Sequence, residues 1–332
     1  MIAPLDVKLW NGKTVPRIGI GTWVMGGEQY WGDMPTGWQG VDDAESLATL
    51  RTAFDLGVRI IDTADQYGAG HSERIIAKAL NDMPYDRSEF VIATKFGLVC
   101  DPDSGNITGI SDNPATVAPA VEASMKRMGL EHIDLVQFHL NNHPVDKSRG
   151  VFEELAKLYE SGKIGGFGWS TDDVIGAVTF VGLPGYVAVQ HDLNLFAPAP
   201  DMLKAIEKHE LWAFNRQPLA MGLLTGKHTS TSAGFGKNDI RGSGAEWLAY
   251  FEKDGRPSAK LLAKLDKLRD LLTSDGRSLA QSALGWVLAQ SPRTIPLPGC
   301  RTPQQACDNF GVIKCSALSS EVIDEIAKVL KH

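Results

Sequence analysis

Asp62, Tyr67, Lys95 and His139 each close a short apolar run, in the stretches RIIDTADQY, FVIATKF and IDLVQFH. Strands that end abruptly in proton-handling groups are what a parallel α/β barrel uses, because all its strand ends open on one face. A free phenol has a pKa of about 10 and gives up its proton reluctantly near neutrality. An ammonium beside it, from Lys95, favours the phenolate, and a carboxylate, from Asp62, keeps that ammonium charged and in place. His139 can donate a hydrogen bond that sets a substrate oxygen beside the phenol. Together the four would protonate an oxygen as it gains negative charge, which suits hydride addition to a carbonyl with Tyr67 as general acid. Singly, each has a plainer role: Asp62 as a turn former, Tyr67 as a loop aromatic, Lys95 as a structural ion-pair partner, His139 as a satisfied polar residue. Their joint placement on consecutive strand ends is what points to catalysis.

The elements needed to bring them together can be read along the chain. Apolar runs recur at IGIGT, RIID, FVIATK, IDLVQFH, GGFGWS, YVAVQ, LWAFN and RTIPLPG, eight in all. Helical spacing falls between them: Leu47, Leu50 and Phe54 in 42–54, a short helix over 73–80, Val117, Val121, Met125 and Met128 before Gly129, then Val151, Leu155, Leu158 and Tyr159. Asn113-Pro114 and Thr302-Pro303 read as helix starts, the second helix running to about Phe310, and a terminal amphipathic helix covers 318–331. Strands that are apolar throughout, alternating with helices, predict one parallel (β/α)8 barrel domain over residues 1–332. The alternative, a doubly wound open sheet, lacks its fingerprint, since Val24 stands where Gly19-Ile20-Gly21 would need a third glycine. Before the first barrel strand, VKLW and KTVPRI flank Asn11-Gly12, which predicts a hairpin with a type I′ turn. Three long connections, 22–41, 96–112 and 227–257, leave strand C-termini and carry Trp23, Trp31, Trp38, Phe235, Trp247, Tyr250 and Phe251. They are expected to roof the mouth and line a pocket there.

With those residues in view, the chain resembles the aldo-keto reductases. The likeness is carried by Gly19-Ile-Gly-Thr-Trp23, Asp62-Thr-Ala-Asp-Gln-Tyr67-Gly68, Ala93-Thr94-Lys95 and Asp134-Leu-Val-Gln-Phe-His139. It continues through Gly168-Trp169-Ser170, Val189-Gln190, the run Pro218 to Lys227, and Pro298-Gly299 with Gln305 and Asn309. The blocks keep the family's order from about residue 18 to about residue 310. The resemblance implies a TIM barrel closed at the bottom by the hairpin, an extended nicotinamide cofactor held without a Rossmann domain, and Asp62, Tyr67, Lys95 and His139 as the catalytic tetrad. It extends to the potassium-channel β subunits, so a cofactor-binding regulatory subunit with little turnover is the alternative of another class.

By the same resemblance Thr22, Trp23 and Asp62 lie beside the nicotinamide ribose, and Ser170 and Gln190 hold the carboxamide. Pro218, Leu219, Gly222 and Leu223 wrap the pyrophosphate, with Lys227 nearby and Arg241 folding over the phosphates. Gly299, Arg301, Thr302, Gln305 and Asn309 surround the adenosine end. Physical chemistry supports that last group independently. The helix start at Thr302-Pro303 offers free amides to an anion, and the fork of donors on Arg301 can grip a phosphate. A 2′-phosphate fits there, which favours NADP(H), with NAD(H) as the alternative. The chain departs from the family in two places. Thr171 stands where many members have Asn. Arg216 stands where many stack a Tyr or Trp on the nicotinamide, and a guanidinium plane can stack in its stead. Trp23, Trp31, Tyr67 and His139 are the expected substrate pocket, and the substrate is expected to be a small carbonyl or alcohol, with reduction or the reverse oxidation of a sugar or other secondary alcohol both served by the tetrad.

Composition bounds the rest. The 332 residues carry a net charge of −7, with no basic excess to neutralise nucleic-acid phosphates. No apolar stretch approaches the roughly 20 residues needed to span a bilayer, and MIAPLDVKLW lacks the pattern of a secretory leader, so a cytoplasmic protein without a membrane partner is expected. Cys100, Cys300, Cys307 and Cys315 are too irregularly spaced for a disulfide framework or zinc site. His139 and His143 leave a strand rather than a helix face, so no metal is expected, and Gly222 to Lys227 is one residue short of a phosphate-binding P-loop. Oligomeric state has no signature here.

Overall fold

In a computed structural model, which describes residues 5–331, the eight apolar runs form eight parallel strands. They are β1 (Gly19–Gly21), β2 (Ile60–Asp62), β3 (Val91–Phe96), β4 (Leu135–Phe138), β5 (Phe167–Ser170), β6 (Tyr186–Asp192), β7 (Trp212–Arg216) and β8 (Thr294–Pro296). Each pairs with the next in sequence. The ring is closed by a parallel bridge between Gly21 and Gly299, with the Gly21 amide donating to Pro298 O at 3.1 Å. This is the expected (β/α)8 TIM barrel.

The continuous apolarity of the strands has a direct cause. Ile60, Val91, Ala93, Leu135, Ala188, Phe214 and Ile295 pack together inside the barrel. Their alternates, such as Ile61, Ile92, Val136, Val189 and Ala213, pack outward in the larger core beneath the helices. Both faces are dry, so neither tolerates polar alternation.

The N-terminal hairpin, Asp6–Lys8 with Thr14–Pro16, closes the bottom by placing Leu9 and Val15 in the inner cluster. The two-residue type I′ turn expected at Asn11-Gly12 does not form. Gly12 N donates to Leu9 O and Leu9 N to Lys13 O, with Gly12 alone left-handed at φ 83°. That is a three-residue loop with a glycine bulge, and it needs only one positive φ. The hairpin is pinned by Asp134, which is 2% exposed. It accepts from Lys13 Nζ at 2.8 Å, Asn11 Nδ2 at 3.0 Å, Arg87 Nη2 at 2.9 Å and the Ile92 amide at 3.0 Å. Burial pushes this carboxyl up, but the bonds from Lys13 and Ile92 and the charge of Arg87 outweigh it and hold it below its ordinary value. A depressed folded pKa contributes stability above the unfolded value of about 3.9 and loses it as pH falls through the folded value. Asp134→Ala is therefore expected to cost about 3 kcal/mol at neutral pH in urea unfolding, and the gap from the parent protein should shrink below about pH 4.

Helices surround the sheet. α1 (Asp43–Asp55) starts at Asp42, whose side chain accepts from the Glu45 amide, and α2 (His71–Asp82) follows β2. Asn113 caps a 3-10 turn rather than the helix itself, and α3 (Val117–Met128) continues from that turn to a left-handed Gly129. α4 (Val145–Glu160), α5 (Val174–Thr179) and α6 (Pro200–Lys208) follow in order. Between β7 and β8 lie α7 (Ala259–Thr273) and α8 (Leu279–Gln290), then α9 (Pro303–Phe310) and α10 (Ser320–Lys331) close the chain. Among the described residues, no helix is long and apolar enough to cross a membrane.

The first two long connections are ordered by each other. Tyr30–Trp31, Met34–Pro35, Leu98–Cys100 and Ile107–Ile110 make a four-stranded sheet beside the mouth. Gln29 Nε2 bonds Gln66 O at 2.6 Å and Gly105 O at 2.8 Å, tying both loops to the segment that carries Tyr67. Gly68 is needed there: it sits at φ +60°, and a Cβ would lie 1.9 Å from Gly26 O. Any larger residue would push the Tyr67 loop off the first connection.

Candidate active site

The four proton-handling residues meet at the C-terminal mouth. Asp62 ends β2, Lys95 sits next to last in β3, His139 follows β4, and Tyr67 lies on the loop after β2. Lys95 is fully buried, and each proton of its ammonium has a partner. It donates to Asp62 Oδ2 at 2.7 Å, to Thr63 O at 2.8 Å and to Tyr67 Oη at 3.3 Å. Because the phenol oxygen accepts from Lys95, its own proton is free to point into the cavity. Gln190 Nε2 takes the other Asp62 oxygen at 2.8 Å. Trp23 stacks against Tyr67 with centroids 6.2 Å apart, and the His139 ring stands edge-on to it at 6.0 Å.

Electrostatics refine the expectation for Tyr67. Burial raises the phenol above its ordinary value; Lys95 opposes this and Asp62 adds to it, so the net shift is upward. Lys95 pulls the phenol down, as expected of an ammonium, but desolvation outweighs it. Burial alone would lower the Lys95 ammonium, but Asp62 and Tyr67 reverse that and keep it charged. Burial, then Lys95 and Arg216, drive His139 well below the ordinary imidazole value. It is a neutral ring at neutral pH, with one N–H to donate, and its Nδ1 has no hydrogen-bond partner.

A cavity of about 680 Å³ opens over these groups. Trp23, Asp62, Tyr67, His139, Gln190 and Arg216 line its inner end. Pro218, Leu219, Gly222 and Lys227 also line the cavity, as do Gly299, Arg301, Gln305, Asn309 and Arg241. Arg301 Nη2 is seated on Gln39 O and Gly40 O at 2.6 and 2.7 Å, and its backbone N–H donates to Gln305 Oε1 at 2.8 Å. Arg241 pairs with Asp239 and lies 3.6 Å over the Phe235 ring. The wall segment is strained: Gln217, Ala220 and Met221 are left-handed non-glycines at φ 52°, 48° and 55°, followed by Gly222 at 98°. Such strain persists where function holds it, and curled backbone of this kind presents amides to an anion.

Several expected contacts fall elsewhere. Trp31 is 42% exposed on the small sheet and outside the cavity lining, because the Tyr30–Trp31 strand turns it to the surface. Thr22 lies behind the lining: its hydroxyl bonds Asp62 O at 2.9 Å and accepts from Ser72 at 2.7 Å, bracing β2. Ser170 is 3% exposed and Leu223 fully buried in the core, and neither lines the cavity. Thr171 is turned to Asn141 O at 2.6 Å. Trp38, Phe235 and Trp247 line the cavity as their loops were expected to, whereas Asn141, Asp172, Asp192, Gln217 and His228 line it without having been singled out. Asp192 closes the YVAVQ strand two residues past Gln190, the same strand-end signal that marked the tetrad. His143 bonds Ser148 and Asp112 rather than meeting His139 at a metal, and among the described residues no three His, Cys, Asp or Glu side chains converge as a metal site.

The lining combines the cations Arg216, Lys227, Arg241 and Arg301 with curled backbone, a set that suits an anionic ligand. The neutral donors Tyr67 and His139 face the same cavity, with the buried Lys95 ammonium behind Tyr67. Comparison with known proteins agrees. A model of the Aldo/keto reductase family matches residues 17–331. The chain is 31% identical over 326 residues to aldo-keto reductase YhdN of Bacillus subtilis, covering 97% of this chain and 92% of that one. It is 29% identical over 323 residues to aldo-keto reductase yakc [NADP(+)] of Schizosaccharomyces pombe, covering 95% and 88%. Among solved structures, the glycerol dehydrogenase from Gluconobacter oxydans superposes with a TM-score of 0.82 at 31% identity, covering 98% and 95%.

Proposed function

The chain belongs to the aldo/keto reductase family, and on that premise we propose that it is an NADPH-dependent reductase of aldehydes or ketones, with Tyr67 as general acid. The observation that carries this is the Lys95 ammonium, which donates to Asp62, Thr63 and Tyr67 and so leaves the phenol proton free to be given to a ligand in the cavity. Reduced nicotinamide, when bound, would supply the hydride to the carbonyl carbon. The chain's own residues handle the oxygen. Tyr67 and neutral His139 donate to it, so no cation stabilises the uncharged carbonyl and both donors tighten as charge develops. The raised phenol keeps its proton until that moment. Once the proton moves to oxygen, Lys95 at 3.3 Å neutralises the phenolate, and Asp62, gripped by Gln190, keeps Lys95 in place.

Gln190, Arg216 and Trp23 would hold the nicotinamide end, the strained Gln217–Gly222 wall with Lys227 and Arg241 the pyrophosphate, and Arg301, Gln305 and Asn309 the adenosine end. Arg301 at the start of α9 makes NADP(H) the favoured cofactor, in keeping with the name of the yeast relative. Arg301→Ala is expected to weaken NADPH by about ten- to a hundredfold, the loss of one charge-assisted phosphate contact, while NADH binding changes little. Fluorescence titration with both nucleotides checks this.

Oxidation of a secondary alcohol by the same groups in reverse is the second reading, favoured by the 31% identity to a glycerol dehydrogenase. Steady-state assay of an aldehyde, ketone and polyol panel with NADPH, NADH and their oxidised forms decides direction and substrate class. Absence of turnover with every pair would sink both readings.

A further inference from the structure

The floor of the cavity holds a charge cluster that the proton-handling residues do not require. Arg216, at the end of β7, is in register with Asp192 of β6. Its Nε lies 3.0 Å from Asp192 Oδ1, an ionic contact without a hydrogen bond, and its Nη2 pairs with Asp172. Asp172 is fixed in turn by Asn141 Nδ2 and by the Asp192 amide, each at 3.0 Å. The cluster is continuous with the catalytic groups. Arg216 Nη1 donates to Gln190 O at 3.3 Å, and the side chain of Gln190 grips Asp62. The positive charge of Arg216 is felt at both Tyr67 and His139.

One guanidinium and two carboxylates sum to a formal charge of −1. One carboxylate would neutralise Arg216; the second leaves surplus negative charge at a half-buried site, which costs desolvation unless a cation visits. Both are ionised near neutrality. Burial lifts Asp192 only to about 6, and Arg216 overrides burial to hold Asp172 below the ordinary carboxylate range. The visiting cation can be identified by the chemistry of the site. A nicotinamide within hydride reach of a carbonyl held by Tyr67 and His139, about 3–3.5 Å, would lie beside Gln190 and Arg216, which line the same cavity and whose charged member is felt at both groups. In reduction a hydride would pass from the neutral ring to the carbonyl carbon and a proton from Tyr67 to the oxygen, which would leave the ring with one positive charge.

We propose that Arg216, Asp172 and Asp192 form a redox-state selector, a flat guanidinium floor made net negative by its two carboxylates, which binds the oxidised, cationic nicotinamide in preference to the reduced, neutral one. This rests on the nicotinamide-dependent reading above. Asp172 and Asp192 are positioning residues for Arg216 and, through their surplus charge, determinants of cofactor redox preference. Such a floor draws the equilibrium on the enzyme toward oxidised cofactor and alcohol, and makes release of oxidised cofactor slow.

The test is calorimetric titration of the full-length protein, Asp192→Asn and Asp172→Asn with NADP+ and with NADPH separately. Two isosteric substitutions are used so that a folding defect in one leaves the other. Each is expected to lower the ratio of NADP+ to NADPH affinity by roughly tenfold or more, the scale of one unit charge at contact distance in a partly screened site, and to do so through NADP+. Adenosine 2′-phosphate, which lacks the ring, should bind all three proteins alike. A ratio that moves less than about twofold in both variants overturns the selector and leaves the carboxylates as props for Arg216. Wild-type protein that binds neither nucleotide overturns the cofactor reading itself, an outcome distinct from an unchanged ratio.

Discussion

Tyr67→Phe is expected to lower kcat for carbonyl reduction by about 10³-fold, within the range a positioned general acid contributes, while NADPH affinity changes less than about threefold. The size of the effect follows from the geometry. The ring packs on Trp23 and would be kept in place in the variant. Only the Oη at 3.3 Å from Lys95 is lost, and no other donor bonded to that ammonium faces the cavity: Asp62 accepts, and Thr63 contributes a backbone carbonyl. His139 remains as a neutral donor, so substrate binding should persist. Comparison of single-turnover rate with cofactor affinity in the two proteins separates the acid role from a packing role. A variant with wild-type turnover would remove Tyr67 from the mechanism.

Lys95→Met is expected to be nearly as damaging and to act twice. Without the ammonium the phenolate left after proton transfer has no counter-charge, which should cost about 10²- to 10³-fold in kcat, as for loss of a preorganised electrostatic donor. Asp62 is then left in a buried site with Gln190 as its bonded side-chain partner. Breaking a buried ion pair by removing one member costs about 3–5 kcal/mol, although protonation of Asp62, whose pKa burial already raises against the pull of Lys95, should relieve part of it. Urea unfolding at two pH values checks this: the variant should lose less stability at acid pH, where Asp62 is neutral, than at neutral pH. Equal losses at both would mean that Asp62 is not the group left unpaired.

The barrel was legible because its strands are buried on both faces, and a run such as Phe90 to Phe96 can hardly be anything else. The tetrad was legible because a polar residue at the end of such a run stands out. The helices α7 and α8 were harder for different reasons. α7 follows a long irregular connection, so the strand-then-helix rhythm is interrupted before Ala259. α8 is buried on nearly every side, from Leu279 through Val287, and so has no polar face to give it a period. The small sheet at the mouth was invisible because its strands are two to four residues long and pair across separate loops. Trp31 illustrates the consequence: an aromatic in a long loop is costly to expose on average, yet the local ladder turns this one outward. The net upward shift of Tyr67 was also beyond the sequence, because residue types give the sign of each influence but burial, which decides the balance, belongs to the fold.

The cavity residues that escaped notice, Asn141, Asp172 and Asp192, lie at or just beyond strand ends, where the tetrad lies too. They matter as a group only through Arg216, and their convergence depends on the parallel register of β6 and β7.

The most direct measurement is transfer of label. Protein mixed with NADPH carrying deuterium on the transferred face of the nicotinamide, and with a simple aldehyde or ketone, should yield alcohol bearing that deuterium on the carbinol carbon in step with cofactor consumed, and Tyr67→Phe should bind the same cofactor without producing it. Cofactor that binds but is never consumed, or alcohol that carries no label, would contradict direct hydride transfer at this site.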